Sequence, residues 1–424
     1  MTVRAATISL DVCWSVQHTR RMSAPDPTAG FTDMQWYMYH QRNVAFFAAF
    51  TARAFSDDDL LVAARGLAEL APQLRTGYLG ADGGPIPDHV LGSLIYRESV
   101  ATLDGFPERW IDRGDAVLSD PALPLFRIRH AAADTPSDGR AGFLLVQVSH
   151  ALVEGADSAL LSRSQSAAHP VASSQKNAAP LVKAAATGLG AVLASLHLLA
   201  GNLVTVRPGP FRYTSRTYPR LLFSELARNY GVRQRALFFA LVMRTLFGAG
   251  TANGKRKITS TYSVIDDGGG AERDSFMRMR MRFAAFENEP DFGGYVREVD
   301  RRLTEAEGKE SGFNDAMNAE GIRLHRSLSR VFPFAYTPKL FQFMPYDIVI
   351  GLIPPHRLGG GLTRDLLEPV YAGAALEGAN ACVIVPGRRQ VSFNFYIQEK
   401  LLYRVAELDA VLAEPVISRS GGAG

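Results

Sequence analysis

The sequence predicts a mixed α/β (α+β) fold built in two halves. Three observations carry that prediction. The chain has 424 residues, more than one ordinary core accommodates. Both halves combine strand-type alternation with helix-type periodicity. Between them lies a small, polar, proline-bearing stretch over 162–183 that reads as a linker. The expected organisation is an N-terminal half over 1–165, a linker and apolar helix over 166–207, and a C-terminal half over 208–424.

The elements follow in order. Residues 34–55 are rich in aromatic and apolar side chains and are expected to supply a strand. Ser56 opens SDDDLLVAARGLAELAPQLRTGY as a helix N-cap, with acids in the first turn where the helix dipole favours them. Leu60, Leu61, Ala64, Leu67, Ala68 and Ala71 then recur at helical spacing, and Pro72 falls past the end. LPLFRIRHAA (123–132) alternates as a strand, GFLLVQVSH (142–150) follows as its neighbour, and PSDG (136–139) is turn chemistry. In the second half, 219–248 reads as two helices broken at Gly231. Strands are expected over 257–265, 276–286, 346–355, 380–387 and 389–397, with a helix after DFGG (291–294) and a closing helix over 401–414.

Composition bounds the function. Hydrophobic residues make up 47% and charged residues 21%, values of a globular chain. A net charge of +4 is too weak a field for a nucleic-acid arm, so no nucleic-acid partner is expected. It suits an anionic partner such as a phosphorylated cofactor, an acidic carrier protein or an anionic membrane surface. Cys13 and Cys382 stand far apart and no CxxC occurs, so neither a zinc ribbon nor a disulfide framework is expected, and a reducing, cytoplasmic setting fits. No sustained apolar run precedes a small-residue cleavage site near the N-terminus, so no signal peptide is expected. Residues 184–206 contain no Asp, Glu, Lys or Arg. Their length suffices to cross a bilayer, but Thr187, Ser195, His197 and Asn202 dilute them. A membrane span, an interfacial helix in peripheral membrane contact and a helix packed inside the protein are the competing readings.

The chemical-looking stretch is VQVSHALVEGADSALL (146–161). It reads as a strand running into a helix with His150 at the joint. An imidazole held rigidly at a strand end can serve as a general base, and Gly155 lets the backbone bend and substrate approach. A satisfied core histidine is the competing reading of the same residues. No HExxH and no third ligand accompany His150 and Glu154, so no metal centre is expected. Arg278, Arg280 and Arg282 alternate with Met277, Met279 and Met281. The arginines form either a phosphate-binding stripe or a solvated strand face. The methionines form either core or an acyl-chain groove. GKRK (254–257) is a basic loop.

Ser149, His150, Glu154 and Gly155 resemble the HHxxxDG motif of the chloramphenicol acetyltransferase-like superfamily. The surroundings are similar too. Residues 56–78 look like that family's first helix, DSALL like its continuation after the motif, and 226–246 like its later helix pair. In layout the chain is closest to the wax ester synthase/diacylglycerol acyltransferase members. The resemblance implies two subdomains with the active site between them. It implies His150 as the base that deprotonates an acceptor, direct attack on an acyl thioester, and no covalent acyl-enzyme. Glu154 takes a structural role beside Gly155, paired with an arginine for which Arg42 and Arg129 are candidates. Ser149 stands in place of the first histidine and Glu154 in place of aspartate. The expected activity is transfer of a fatty acyl group from acyl-coenzyme A to a lipid-like alcohol, with no bound cofactor. An amine acceptor with an acyl-carrier donor, and a non-catalytic lipid-binding relative, are the alternatives.

Overall fold

The computed structural model describes residues 36, 39, 43–70, 86–112, 125–150, 210–249, 257–265, 279–307, 323, 326–327, 329, 347–353, 365–376 and 379–413; residues 69–70, 261, 263–265 and 279–283 are described for their backbone alone. In the N-terminal region the elements are β1 (Val44–Thr51), α1 (Asp57–Leu70), α2 (Asp88–Ser93), β2 (Ile95–Val100), α3 (Phe106–Asp112), β3 (Phe126–Ser137) and β4 (Arg140–Ser149). There follow β5 (Phe211–Pro219), α4 (Arg220–Tyr230), α5 (Gln234–Phe247), β6 (Lys257–Ile265), β7 (Met279–Glu287) and α6 (Phe292–Glu307). The last are β8 (Ile348–Leu352), β9 (Leu366–Ala375), β10 (Ala381–Pro386), β11 (Gln390–Gln398) and a short α7 (Leu402–Val405).

Two mixed sheets result. The first runs β2-β3-β4-β1-β9 and the second β5-β11-β10-β8-β6-β7. The PSDG stretch closes the β3–β4 hairpin. Asp138 and Gly139 take φ of 52° and 72°, the left-handed pair that a two-residue hairpin turn needs. Ser56 and Asp59 cap α1 as its sequence predicts: Asp59 Oδ2 accepts the Ser56 N–H at 2.8 Å and Ser56 Oγ accepts the Asp59 N–H at 3.1 Å. The break at Gly231 is also found, with φ of 66° ending α4. DFGG opens α6. Asp291 Oδ2 accepts the Gly294 N–H at 2.5 Å, so this stretch is a helix cap.

The expected closing helix over 401–414 is interrupted. A 3-10 turn (Glu399–Leu401) precedes α7, and helix resumes only over 408–413. The Glu407 N–H bonds back three residues to the Arg404 carbonyl at 2.9 Å, which tightens the chain at the break. Residues 162–183 and 184–206 lie outside the described residues. Among those described, no helix is long and apolar enough to cross a membrane.

Alternation sorts the first sheet. Leu144, Val146 and Val148 pack with Leu60, Ala64 and Leu67 of α1. Phe143 and Leu145 face the other way, against Phe46, Phe50, Trp110 of α3 and Tyr213 of β5. In the second sheet one face packs on α4, α5 and α6. Helix α5 is buried all round from Ala236 to Leu246. Even Arg244 is buried there; it donates to the Glu289 carbonyl at 2.6 Å and lies over the Tyr295 ring at 5.0 Å.

The sheets meet through β9. It pairs antiparallel with β1, from Val44↔Ala375 to Thr51↔Leu366, and skips Glu368 and Pro369 in a bulge opposite Ala49/Phe50. A bulge is where a sheet accommodates proline. Glu368 then reaches the β10–β11 hairpin of the other sheet. Its carboxylate accepts the N–H groups of Arg388 (2.6 Å), Arg389 (2.9 Å) and Gln390 (3.2 Å). Gly387 permits this approach, because a Cβ there would lie 2.9 Å from the Glu368 carboxyl carbon. Hydrogen bonds to a charged group contribute more than neutral ones. Glu368→Ala is expected to lower the unfolding free energy by about 2 kcal/mol and Glu368→Gln by about half that, read by urea denaturation. A loss under about 0.5 kcal/mol, typical of ordinary surface changes, would show that the clamp is dispensable.

His130 on β3 is fully buried. Its Nε2 accepts the Phe55 N–H at 3.5 Å, its ring lies 5.3 Å from that of Phe55, and Nδ1 has no hydrogen bond among the described residues. Burial first, then the nearby Arg97, push its pKa down from 6.5 to about 4, against a smaller opposing pull from Asp59. The folded state therefore holds the neutral ring. Its contribution to stability is complete above pH 6.5 and is lost as pH falls toward about 4. Thermal unfolding measured across that window should show stability falling with acidification, with a shallower slope in His130→Gln. An unchanged slope would remove His130 from the acid response.

Candidate active site at the end of the fourth strand

His150 follows directly on β4, as the sequence predicts. Its backbone is fixed from two sides. Ser149 pairs with Val44 on β1, and its N–H donates to the Leu125 carbonyl at 2.9 Å. The His150 N–H donates to the Asn43 carbonyl at 2.9 Å. Two segments that are distant in sequence, at 43–44 and at 125, thus converge on residues 149 and 150. Ser149 and Asn43 are buried, whereas His150 is half-buried. That combination, a rigid backbone under a side chain in contact with solvent, is what a general base needs.

Polar groups gather at this end of the sheet. Along β4 the face turned toward β5 carries Phe143 and Leu145, then Gln147 and Ser149. Gln147 pairs with Arg127 on β3 and with Phe46 on β1. Phe46 meets Tyr213 edge-on at 5.5 Å, and the Tyr213 hydroxyl donates to Asn394 Oδ1 at 2.8 Å. Burial pushes the Tyr213 hydroxyl well above its usual pKa, so it remains a neutral donor. On α3, Glu108 accepts from Ser215 Oγ at 3.0 Å and ties that helix to β5.

The other sequence candidates fall elsewhere. Glu154, Gly155, Arg278 and Arg42 lie outside the described residues. Arg280 and Arg282 sit on β7, the edge strand of the second sheet, opposite Val264 and Tyr262. His150 belongs to the first sheet, so the stripe and the histidine are carried by different sheets. Arg129 stacks over Trp110 at 4.5 Å and Tyr96 at 5.2 Å. It pairs with Leu145, five residues before His150. Lys257, the last residue of GKRK, begins β6. Cys382 is fully buried and its thiol pKa is pushed well up by burial. Arg127 and Asn43 escaped sequence reasoning, because neither belongs to a motif. Their place at the site comes from strand pairing alone.

No family model matches the sequence, and a search of curated proteins gives no significant match. Solved structures do match over nearly the whole chain. The TRI3 trichothecene 15-O-acetyltransferase of Fusarium sporotrichioides superposes with a TM-score of 0.57 at 11% identity, covering 91% of this chain and 94% of that one. The wax ester synthase/diacylglycerol acyltransferase of Marinobacter aquaeolei VT8 gives 0.52 at 14%, covering 90% and 97%. The EpoB NRPS cyclization-docking bidomain of Sorangium cellulosum gives 0.52 at 13%, covering 97% and 93%. At the end of β4, His150 thus sits in a chain with the two-sheet fold of the chloramphenicol acetyltransferase-like condensation and acyltransferase proteins.

Proposed function

We propose that this chain is an acyltransferase that uses His150 as general base. The observation that carries the reading is the half-buried imidazole on a doubly pinned backbone at the end of β4, within this fold. His150 takes the proton of an acceptor hydroxyl, and the oxygen attacks the carbonyl carbon of an acyl thioester. The tetrahedral oxyanion collapses, the carbon–sulfur bond breaks, and the thiolate recovers the proton from the imidazolium. Ester and free thiol leave; no acyl group is ever bonded to the protein.

The acyl donor in this reading is acyl-coenzyme A and the acceptor a lipid-like alcohol, at a cytoplasmic site or a membrane surface. Two kinds of support stand behind it: the likeness to a wax ester synthase/diacylglycerol acyltransferase and the mildly basic chain. A second reading takes an amine acceptor and a carrier-bound donor. The likeness to the first condensation domain of the CDA synthetase, at 13% identity and a TM-score of 0.51, favours it. Thiol release from long-chain acyl-coenzyme A, with alcohol and amine panels, separates the two. Release is expected to require an acceptor and to fall by about 100-fold or more in His150→Ala. Equal release from both proteins would remove His150 from the mechanism. Release only with a carrier-bound donor would favour the second reading.

A further inference from the structure

We propose that Arg220, Leu221, Arg388 and Arg389 form a basic corner of the second sheet that docks on an anionic lipid surface. Its purpose rests on the reading of a lipid-like acceptor above, whereas its observations stand apart from His150. The turn between β10 and β11 is joined to the start of α4. The Arg220 N–H donates to the Arg389 carbonyl at 2.8 Å, and Arg220 Nη1 donates to the Gly387 carbonyl at 2.9 Å. Arg388 and Arg389 are exposed. Their backbone N–H groups hold the Glu368 carboxylate, but neither guanidinium makes an ion pair or hydrogen bond with another described residue. No acid stands in the first turn of α4. Three arginines thus share this corner with one bound carboxylate.

Leu221 follows Arg220 and is 67% exposed, more than any other large apolar side chain described. A single exposed leucine is ordinary. One set beside arginines that have no acid partner among the described residues is the pairing that interfacial contact uses. The arginines draw lipid phosphates by field and by bidentate bonds, and the leucine enters the boundary of the acyl chains. Neither exposed guanidinium is held by another side chain. That suits phosphates free to rearrange beneath them better than the fixed acids of a protein surface. The corner lies at the Glu368 end of β9. Ala375, on the rung that leads to His150, is about 20 Å further along that strand. Docking here therefore leaves the His150 end of the first sheet clear.

The test is cosedimentation of the whole chain with vesicles of phosphatidylcholine, alone or with a third of phosphatidylglycerol. Binding is expected to require phosphatidylglycerol and to weaken as salt rises. Arg388→Gln together with Arg389→Gln should lower the partition constant about 25-fold, at about fivefold per arginine, and Leu221→Ser should lower it about 10-fold or more. Arg220 is left intact, because it also holds the Gly387 carbonyl. Glu225 is exposed one helical turn beyond Leu221, and Glu225→Gln should strengthen binding about fivefold. These variants should keep Tm, and His150→Ala should bind as the intact chain does. Equal binding to both kinds of vesicle would overturn the corner. So would anionic binding that survives the arginine and leucine substitutions, which would place the contact elsewhere on the chain. Binding lost with the arginines but indifferent to Leu221→Ser would assign the patch to an acidic partner without an apolar layer and overturn lipid docking. With acyl-coenzyme A added, thiol release to hexadecanol in vesicles should fall in the arginine variant, while release to butanol in solution stays unchanged. Vesicle binding without any thiol release would support the corner and count against acyl transfer. Release to vesicle-borne hexadecanol that is unchanged in a variant unable to bind vesicles would count against the corner alone.

Discussion

One strand is central to the association of the two sheets. β9 pairs along its length with β1 and at the same time lies against β10 and β11. A strand with a ladder on one side and a second sheet across its face has little room for side chains. Its sequence shows this in the run Ala372, Gly373, Ala374, Ala375. The limit is sharpest at Gly373, where a Cβ would come within 2.6 Å of the Phe46 ring. Polar anchors compensate for the small apolar area. Ser392 Oγ donates to the Val370 carbonyl at 2.5 Å, and Glu368 gathers three hairpin amides. At the entry to β9, Arg53 reaches both Asp59 at the start of α1 and Asp365. Each of those exposed ion pairs contributes little alone. Their value is that one guanidinium fixes the first helix and the bridging strand in the same geometry.

That constraint reaches the candidate site. Val44 is opposite Ala375 on one side and Ser149 on the other. The end of β9, the start of β1 and the end of β4 therefore share one edge of the sheet. The Asn43 carbonyl that holds His150 is the residue just before that shared rung. A shift of β9 would be transmitted through β1 to the histidine, since ladder hydrogen bonds do not stretch without loss. The sheet contact and His150 are thus mechanically adjacent even though the two lie 225 positions apart in the chain.

Much of this was readable from residues alone, and the exceptions have physical causes. The β3–β4 hairpin, the α1 cap, the Gly231 break and the strands from β6 to β11 other than β9 announce themselves through period-two alternation, capping chemistry or glycine. β9 does not, because a strand squeezed between β1 and the second sheet uses small residues and a bulge proline, which read as loop. β2, β5 and the short α2 and α3 lack a clean apolar period. Edge strands keep mixed faces, so Arg212 and Arg216 in β5 obscure it. His150 was visible from its motif. Arg127 was not, since its relation to Gln147 exists only once β3 and β4 are in register.

The register also bears on the departure at position 149. In the motif that this stretch resembles, two histidines stand side by side; here the first is serine. Ser149 is the last residue of the ladder, paired with Val44 and held by Leu125, and only 4% of it is exposed. A side chain there is enclosed between strands, and a small hydroxyl fits such a place at lower cost than a ring whose two nitrogens both need partners. His150 is one residue beyond the last rung. Its backbone is still pinned, and the residue is half-buried where Ser149 is buried. The end of the ladder therefore separates the two positions by physics as well as by motif. In the proposed mechanism, position 149 supports and position 150 reacts. Replacing the first histidine by serine leaves that division intact, so under the proposed mechanism His150 keeps the role of base.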